Sequence, residues 1–247
     1  MKKTVPIVVA AFVVVLSSPA WADETDPPAS DVTISGGATL VSDYRFRGIS
    51  QTDKNFAVQG TFTVSHSSGF YASVWGSSVS DYIASNSQEI DLVGGYKHSF
   101  GATTVDVGAT YYYYPGSALP FSDFIEPYVA VSHTLGPVTG KVSLLYAPKQ
   151  QALSVNGVTK DDNLYLAADL SAGIPDTPIS LSAHVGHNFS PSYITFGNKY
   201  TDWSIGATYT WKNLSLGVSY VDTDKDMIVG TRNETKAGVV GTLGVAF

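Results

Sequence analysis

The 247-residue sequence predicts an all-β protein, an antiparallel transmembrane β-barrel of twelve strands with short turns at one end and longer loops at the other. Three observations carry this expectation. Large apolar side chains recur at every second position through most of the chain. Short and long polar connections alternate strictly between these runs. Charged residues make up only 14% of the chain, against about 25% in an average soluble domain, yet beyond the N-terminal segment no stretch approaches the ~18 continuous apolar residues of a membrane helix. A sheet closed on itself reconciles the three, because every backbone polar group inside a bilayer must be paired.

The alternation is clearest over Thr201–Thr223. Trp203, Ile205, Ala207, Tyr209 and Trp211 share one parity, with Ser204, Gly206, Thr208 and Thr210 on the other. Across Lys212-Asn213 the parity shifts, and Leu214, Leu216, Val218 and Tyr220 oppose Ser215, Gly217 and Ser219. Two polar residues between such runs predict a tight hairpin with all its large apolar groups on one side. The small polar face suits a crowded interior, and aromatic residues at the ends of the apolar face suit membrane interfaces.

At the N-terminus, Lys2 and Lys3 precede an apolar run from Val5 to Leu16, and Ala20-Trp21-Ala22 has the small-x-small form of a cleavage site. Residues 1–22 are therefore expected to be a secretory signal peptide, cut near Ala22. Residues 23–30, with Pro27-Pro28, form a short polar lead-in, and 31–247 form the barrel. Removing Lys2 and Lys3 takes the formal charge from −7 to −9, which argues against nucleic acid as a partner. There are no cysteines, so neither a disulfide framework nor a thiolate metal site is available.

In chain order the strands are expected at Val32–Phe46, Phe56–Val64, Phe70–Ser78, Ile90–His98, Val105–Tyr113, Ile125–Leu135, Val138–Tyr146, Leu164–Ile174, Ile179–Phe189, the two arms of the hairpin, and Ala237–Phe247. Two fit poorly. In Phe70–Ser78, Tyr71 and Trp75 fall on the polar side, and Ile125–Leu135 contains Pro127, which cannot donate to a ladder. Connections after the even strands are short, such as Gly136-Pro137. Those after the odd strands are long, such as Ala147–Asp162 and Asp222–Lys236. That segregation is what a bacterial outer-membrane barrel requires, with periplasmic turns, external loops, both termini periplasmic and outer-membrane lipid around the wall. The last strand alternates Val239, Gly241, Leu243, Val245 up to a terminal Phe247.

The run Val41-Ser42-Asp43-Tyr44-Arg45-Phe46-Arg47-Gly48-Ile49-Ser50-Gln51 leads out of the first strand. It resembles the signature of the TorF-like porins (Gcw_chp), a family of proteobacterial conserved-hypothetical outer-membrane proteins. The Tyr-rich turns, short strands and terminal Phe247 extend the resemblance over nearly the whole mature chain. The resemblance implies an outer-membrane location and a porin role, with no assigned substrate or functional residues. Taken physically, Asp43, Arg45 and Arg47 share the luminal parity, while Tyr44 and Phe46 are expected to face lipid headgroups and Gly48 to permit a sharp exit into the external loop. The run then reads as an ion-paired rim, with a binding site as the alternative.

Other constellations carry less. His66-Ser67-Ser68-Gly69 is faintly similar to a run in outer-membrane phospholipases, but it falls on a periplasmic turn, at the wrong end for outer-leaflet lipid. His184 and His187 face opposite sides of a strand and cannot share a metal. Tyr111–Tyr114 reads as a girdle, with a sugar-stacking slide as the alternative; only Tyr112 and one loop-borne neighbour have luminal parity. Asp222, Asp224, Asp226 and Glu234 could hold Ca²⁺, but the spacing lacks a turn glycine and fits an acidic solvated loop. No metal and no cofactor are expected, and no pattern assigns an association state.

The expected function is a passive outer-membrane channel for small polar solutes or ions, not an enzyme. Twelve strands lie between filled barrels of about eight and open porins of 16–18, so the lumen is expected to be narrow. The alternatives are an enzyme of the phospholipase type and a plugged structural or adhesive barrel acting through its external loops. Candidate pore-lining residues are Glu89, Asp91, Asp106, Glu126 and Asp169 as acids and Arg45, Arg47, Lys97 and Lys141 as bases. Lys97 is expected to compensate Asp106, and Lys141 to compensate Asp169. Asp43 is expected to pair with its arginine neighbours, leaving Glu89, Asp91 and Glu126 as an uncompensated acidic excess and hence a mild cation preference.

Overall fold

A computed structural model describes residues 30–247; the expected signal peptide and all of the lead-in except Ser30 lie outside these residues. Twelve strands run antiparallel: β1 Val32–Val41, β2 Ala57–His66, β3 Phe70–Ser78, β4 Gln88–Phe100, β5 Thr103–Tyr113, β6 Phe124–Leu135, β7 Val138–Gln150, β8 Asp161–Gly173, β9 Ile179–Asn188, β10 Tyr200–Trp211, β11 Leu214–Thr223 and β12 Gly238–Ala246. Each pairs with its sequence neighbours, and β1 pairs with β12 to close the barrel. The seam runs Leu40 opposite Leu243 and Gly37 opposite Ala246, and is extended by reciprocal 2.9 Å backbone bonds between Gly36 and Phe247. Among the described residues no helix is long and apolar enough to cross a membrane, so any crossing is made by these strands.

The alternation fixes which face of each strand is outside. Ile205, Leu216 and Leu243 are 62%, 55% and 47% exposed on the outer wall, whereas Gly206 and Ser215 between them turn inward and are half-buried. The predicted hairpin has Trp211 opposite Leu214 with Lys212-Asn213 at the turn. At the long-loop end, the outward Tyr111, Tyr146 and Tyr220 each donate a hydroxyl hydrogen to an aspartate: Asp123 at 3.2 Å, Asp162 at 3.1 Å and Asp222 at 2.9 Å. These form the outer aromatic edge expected of Tyr111–Tyr114, whereas Tyr112 and Tyr114 are buried inside.

The two awkward strands are resolved by the barrel. Tyr71 and Trp75 keep strict parity and point into the lumen, so the polar side of β3 is an interior that contains aromatic rings. Pro127 sits within β6 opposite Ala109, beyond the point where pairing with β7 begins at Tyr128 and Leu145. Above that point the Gln150 side chain replaces the ladder, accepting from the Ile125 amide at 2.8 Å and donating to its carbonyl at 2.9 Å. The missing proline N–H therefore strands no partner.

Most strand ends fall within four residues of expectation, and one boundary differs further. The first strand ends at Val41, not Phe46, and residues 42–52 leave the wall and fold into the barrel, while 53–56 return to the surface. Turned inward, the same residues satisfy buried carboxylates on the far side, described next.

Candidate functional site

The inward segment is built around a two-residue ribbon, Arg45–Phe46 against Ile49–Ser50, with Arg47 and Gly48 at its tip. Both tip residues have positive φ, 49° and 79°, which is the signature of a tight I′-type hairpin. Gly48 is required twice. Its φ disfavours any side chain, and a Cβ there would lie 2.4 Å from Thr223 Cγ2 and 3.0 Å from Asp202 Cβ. Within the hairpin, Arg45 Nε donates to Asp43 at 2.6 Å and its Nη1 to the Gly48 carbonyl at 3.0 Å, while the Ser50 hydroxyl donates to Asp43 at 2.7 Å. The expected pairing of Asp43 with an arginine neighbour is thus present, inside the loop instead of on a rim.

Arg47 carries the hairpin across the lumen from the β1–β2 wall to the opposite one. Its Nη2 donates to both Glu126 oxygens at 2.6 Å, and its Nη1 to Asn163 Oδ1 at 2.7 Å and Asn188 Oδ1 at 3.4 Å. The Tyr200 hydroxyl donates to the Arg47 carbonyl at 2.8 Å. The guanidinium lies 4.2 Å from the Tyr165 ring centroid and 4.8 Å from that of Phe46. Burial opposes its charge, but Glu126, with Tyr112 and Tyr165, outweighs burial and holds the group above its ordinary value. Tyr44 and Phe46 do not face lipid as expected. Tyr44 is buried, donates to Glu89 at 3.0 Å and meets Trp75 edge-on, and Phe46 packs edge-on against Tyr112. Burial, then Glu89 and Asp91, push the Tyr44 phenol well above its ordinary value.

Two of the three expected excess acids are therefore engaged. Glu126 is fully buried, paired with Arg47 and bonded by Tyr112 at 3.2 Å. Glu89 is buried under Tyr44. Asp91 stands opposite Tyr112 and Trp75, and its Oδ1 is buried without a hydrogen-bond partner among the described residues.

Nearer the short-turn end lies a second belt. Lys97 and Asp106 are directly opposite, as expected, but Tyr71 stands between them. Its hydroxyl donates to Asp106 at 2.8 Å and bonds the Tyr128 hydroxyl, while Lys97 Nζ sits 4.9 Å over its ring. Lys141 and Asp169 pair at 3.2 Å, again as expected. Asp169 also meets His184 Nδ1 at 2.7 Å, and His184 Nε2 meets Asp202 at 3.1 Å. Tyr165 bonds both His184 and Asp202, and its hydroxyl end lies against Gly186, where a Cβ would fall 1.8 Å from the hydroxyl. His187 points the other way, to Thr201 and Phe189.

Sequence reasoning missed Tyr71, Tyr128, Tyr165, His184 and Asp202 as interior groups. Their luminal parity was legible, with His184 on the parity of Ser182 and Gly186, and Asp202 on that of Ser204 and Gly206.

The family described as "Bacterial protein of unknown function (Gcw_chp)" matches residues 25–246. No curated protein matches the chain by sequence. Among solved structures the chain is similar to the NanC porin, at 13% identity and a TM-score of 0.59 over 87% of this chain and 99% of that one. It is similar to the KdgM porin at 10% identity and 0.57, over 86% and 98%. It is also similar to the COG4313 outer membrane channel from Pseudomonas putida F1 at 11% and 0.51, over 91% and 100%. At these identities the likeness is one of fold, a closed antiparallel barrel of porin type.

Proposed function

The chain belongs to the Gcw_chp family, and we propose that it is a narrow outer-membrane channel for passive diffusion of small polar solutes, latched at its external mouth by its first loop. The observation that carries this reading is a closed barrel with an apolar outer wall and a lumen lined by Lys141, Asp169, His184, Asp202, Asp106 and small hydroxyl residues. An interior needed only for stability is better filled with apolar side chains, since charges removed from water cost more than their pairing returns. The short turns are then periplasmic and the long loops external, and insertion into the outer membrane follows cleavage near Ala22.

The selectivity expected from the sequence needs one revision. With Glu126 neutralised by Arg47, the uncompensated carboxylates facing the mouth are Glu89 and Asp91. Focused by a narrow low-dielectric opening, they favour cations mildly, and less so as salt screens them. The test is a reversal potential across a planar bilayer under a KCl gradient, before and after Asp91→Asn with Glu89→Gln. Cation preference that falls in the double variant supports the reading; anion preference in the parent, or no change, refutes it.

The hairpin that crosses the lumen favours one second reading, a permanently plugged barrel acting through its loops. Purified protein that never conducts, with or without Arg47, would establish that alternative. The reading assigns no catalysis. The His66 Nδ1–Ser68 Oγ contact of 2.8 Å lies on an exposed turn at the periplasmic end, and phospholipid turnover by the purified barrel would overturn this assignment.

A further inference from the structure

The external loops enclose a half-open cavity of about 190 Å³, separate from the charged belt below. Five of the six long connections contribute to it. Tyr114, Phe124 and Ala152 form its floor as part of a buried apolar cluster, and Phe46 of the latch hairpin forms its inner wall. Phe121, Tyr193 and Phe196 stand at the lip, 63%, 41% and 39% exposed. Phe196 ends the 3-10 turn Tyr193–Thr195 in the left-handed conformation, with a φ of +49°, which sets its ring at the lip.

The chemistry of the lining narrows the occupant. No charged side chain faces the cavity, although Asp81, Asp123 and Lys160 stand in the same connections. The polar groups that do line it are already engaged. Gln51 donates to the Ile49 carbonyl, Tyr82 to that of Ser50, Gln151 to that of Gly157, and Tyr193 to that of Ile83. A sugar would bring many hydroxyls to a surface with few free partners, and each hydroxyl left unpaired would cost binding energy. An ion would be desolvated without a counter-charge. Apolar cavities of ~150 Å³ take up a benzene ring, so this volume suits a somewhat larger ring system.

We propose that the cavity is an external capture site for a small neutral aromatic molecule, one or two rings bearing at most one polar group. Aromatic walls and satisfied polar groups recognise such a ligand by burial and ring packing. The occupant touches Phe46, whose ring packs on both Arg47 and Tyr112, so the site adjoins the latch directly. The inference rests on the geometry of the loops and not on conduction, and stands or falls separately from the channel reading.

The test uses the full chain in lipid nanodiscs, with binding of indole measured by equilibrium dialysis and by saturation-transfer NMR. Empty nanodiscs provide the lipid-partition blank, and glucose and benzoate are the polar and charged controls. Heat-modifiable gel migration confirms that each variant is folded. Saturable indole binding above the blank is expected, at least about tenfold tighter than either control, with the exposed-lip variant Phe121→Ser weakening it severalfold and the cavity-filling variant Ala152→Phe abolishing it. Should Ala152→Phe fail to fold, Phe121→Ser paired with Tyr193→Ser decides the question from the rim. Indole uptake no greater than the blank, binding unchanged in the folded variants, or tighter binding of glucose would each overturn the proposal.

Discussion

Replacing Arg47 with alanine removes the group that ties the first-loop hairpin to the far wall. The perturbation can be sized from the geometry. Arg47 and Glu126 are 3% and 0% exposed, in contact at 2.6 Å. The substitution leaves the Glu126 carboxylate buried with only the Tyr112 hydroxyl at 3.2 Å. Removing one partner of a buried ion pair costs about 3–5 kcal/mol, and a lumen that can admit water puts this case at the lower end. The barrel wall, held by its own ladders, does not depend on the pair, so the cost falls on the inward position of the hairpin. About 3 kcal/mol is roughly a hundredfold in an equilibrium between inward and released states. Single-channel recording in planar bilayers should show the open fraction of Arg47→Ala rising by up to that factor. The double variant Arg47→Ala with Glu126→Gln should recover part of the lost stability, because no stranded charge remains, and the cycle isolates the coupling. A folded Arg47→Ala barrel that conducts like the parent would refute the reasoning.

Three further outcomes follow from the same geometry. Gly48→Ala should release the hairpin as Arg47→Ala does, since left-handed backbone costs a non-glycine residue about 1–2 kcal/mol and the new Cβ meets Thr223; the same recordings check it. Gly186→Ala drives a Cβ into the Tyr165 hydroxyl and should destabilise the barrel by about 1–3 kcal/mol, read as a lower temperature for the heat-modifiable gel shift; an unchanged transition would contradict the close packing. In the Arg47→Ala background, trimming Tyr71 and Tyr128 to alanine should raise unitary conductance by at least about twofold, because these rings narrow the periplasmic half once the mouth is open; an unchanged conductance would place the constriction elsewhere.

How much was legible differs between wall and lumen. Strand count, order, closure and the outward faces follow from period-two patterning and loop lengths, as Ile205, Leu216 and Leu243 illustrate. Even the misfit of Tyr71 and Trp75 was only apparent, because their parity was right and the assumption that an interior lacks aromatic rings was not. Lys141 with Asp169 was predictable because strand neighbours in register are set by the hairpin between them.

The inward hairpin of residues 42–52 was not. Its internal pairing of Asp43 with Arg45 is local and was expected, yet its direction, into the lumen instead of along the wall, was not. Arg47 finds Glu126, Asn163 and Asn188 at separations of 79, 116 and 141 residues. The sequence by itself determined the barrel, because alternation is a local property of extended backbone that each strand expresses alone once one side meets lipid. Only the tertiary structure decided that the chain's most distinctive run crosses the lumen. Its position depends on buried carboxylates and amides that come within reach of one another when the barrel closes.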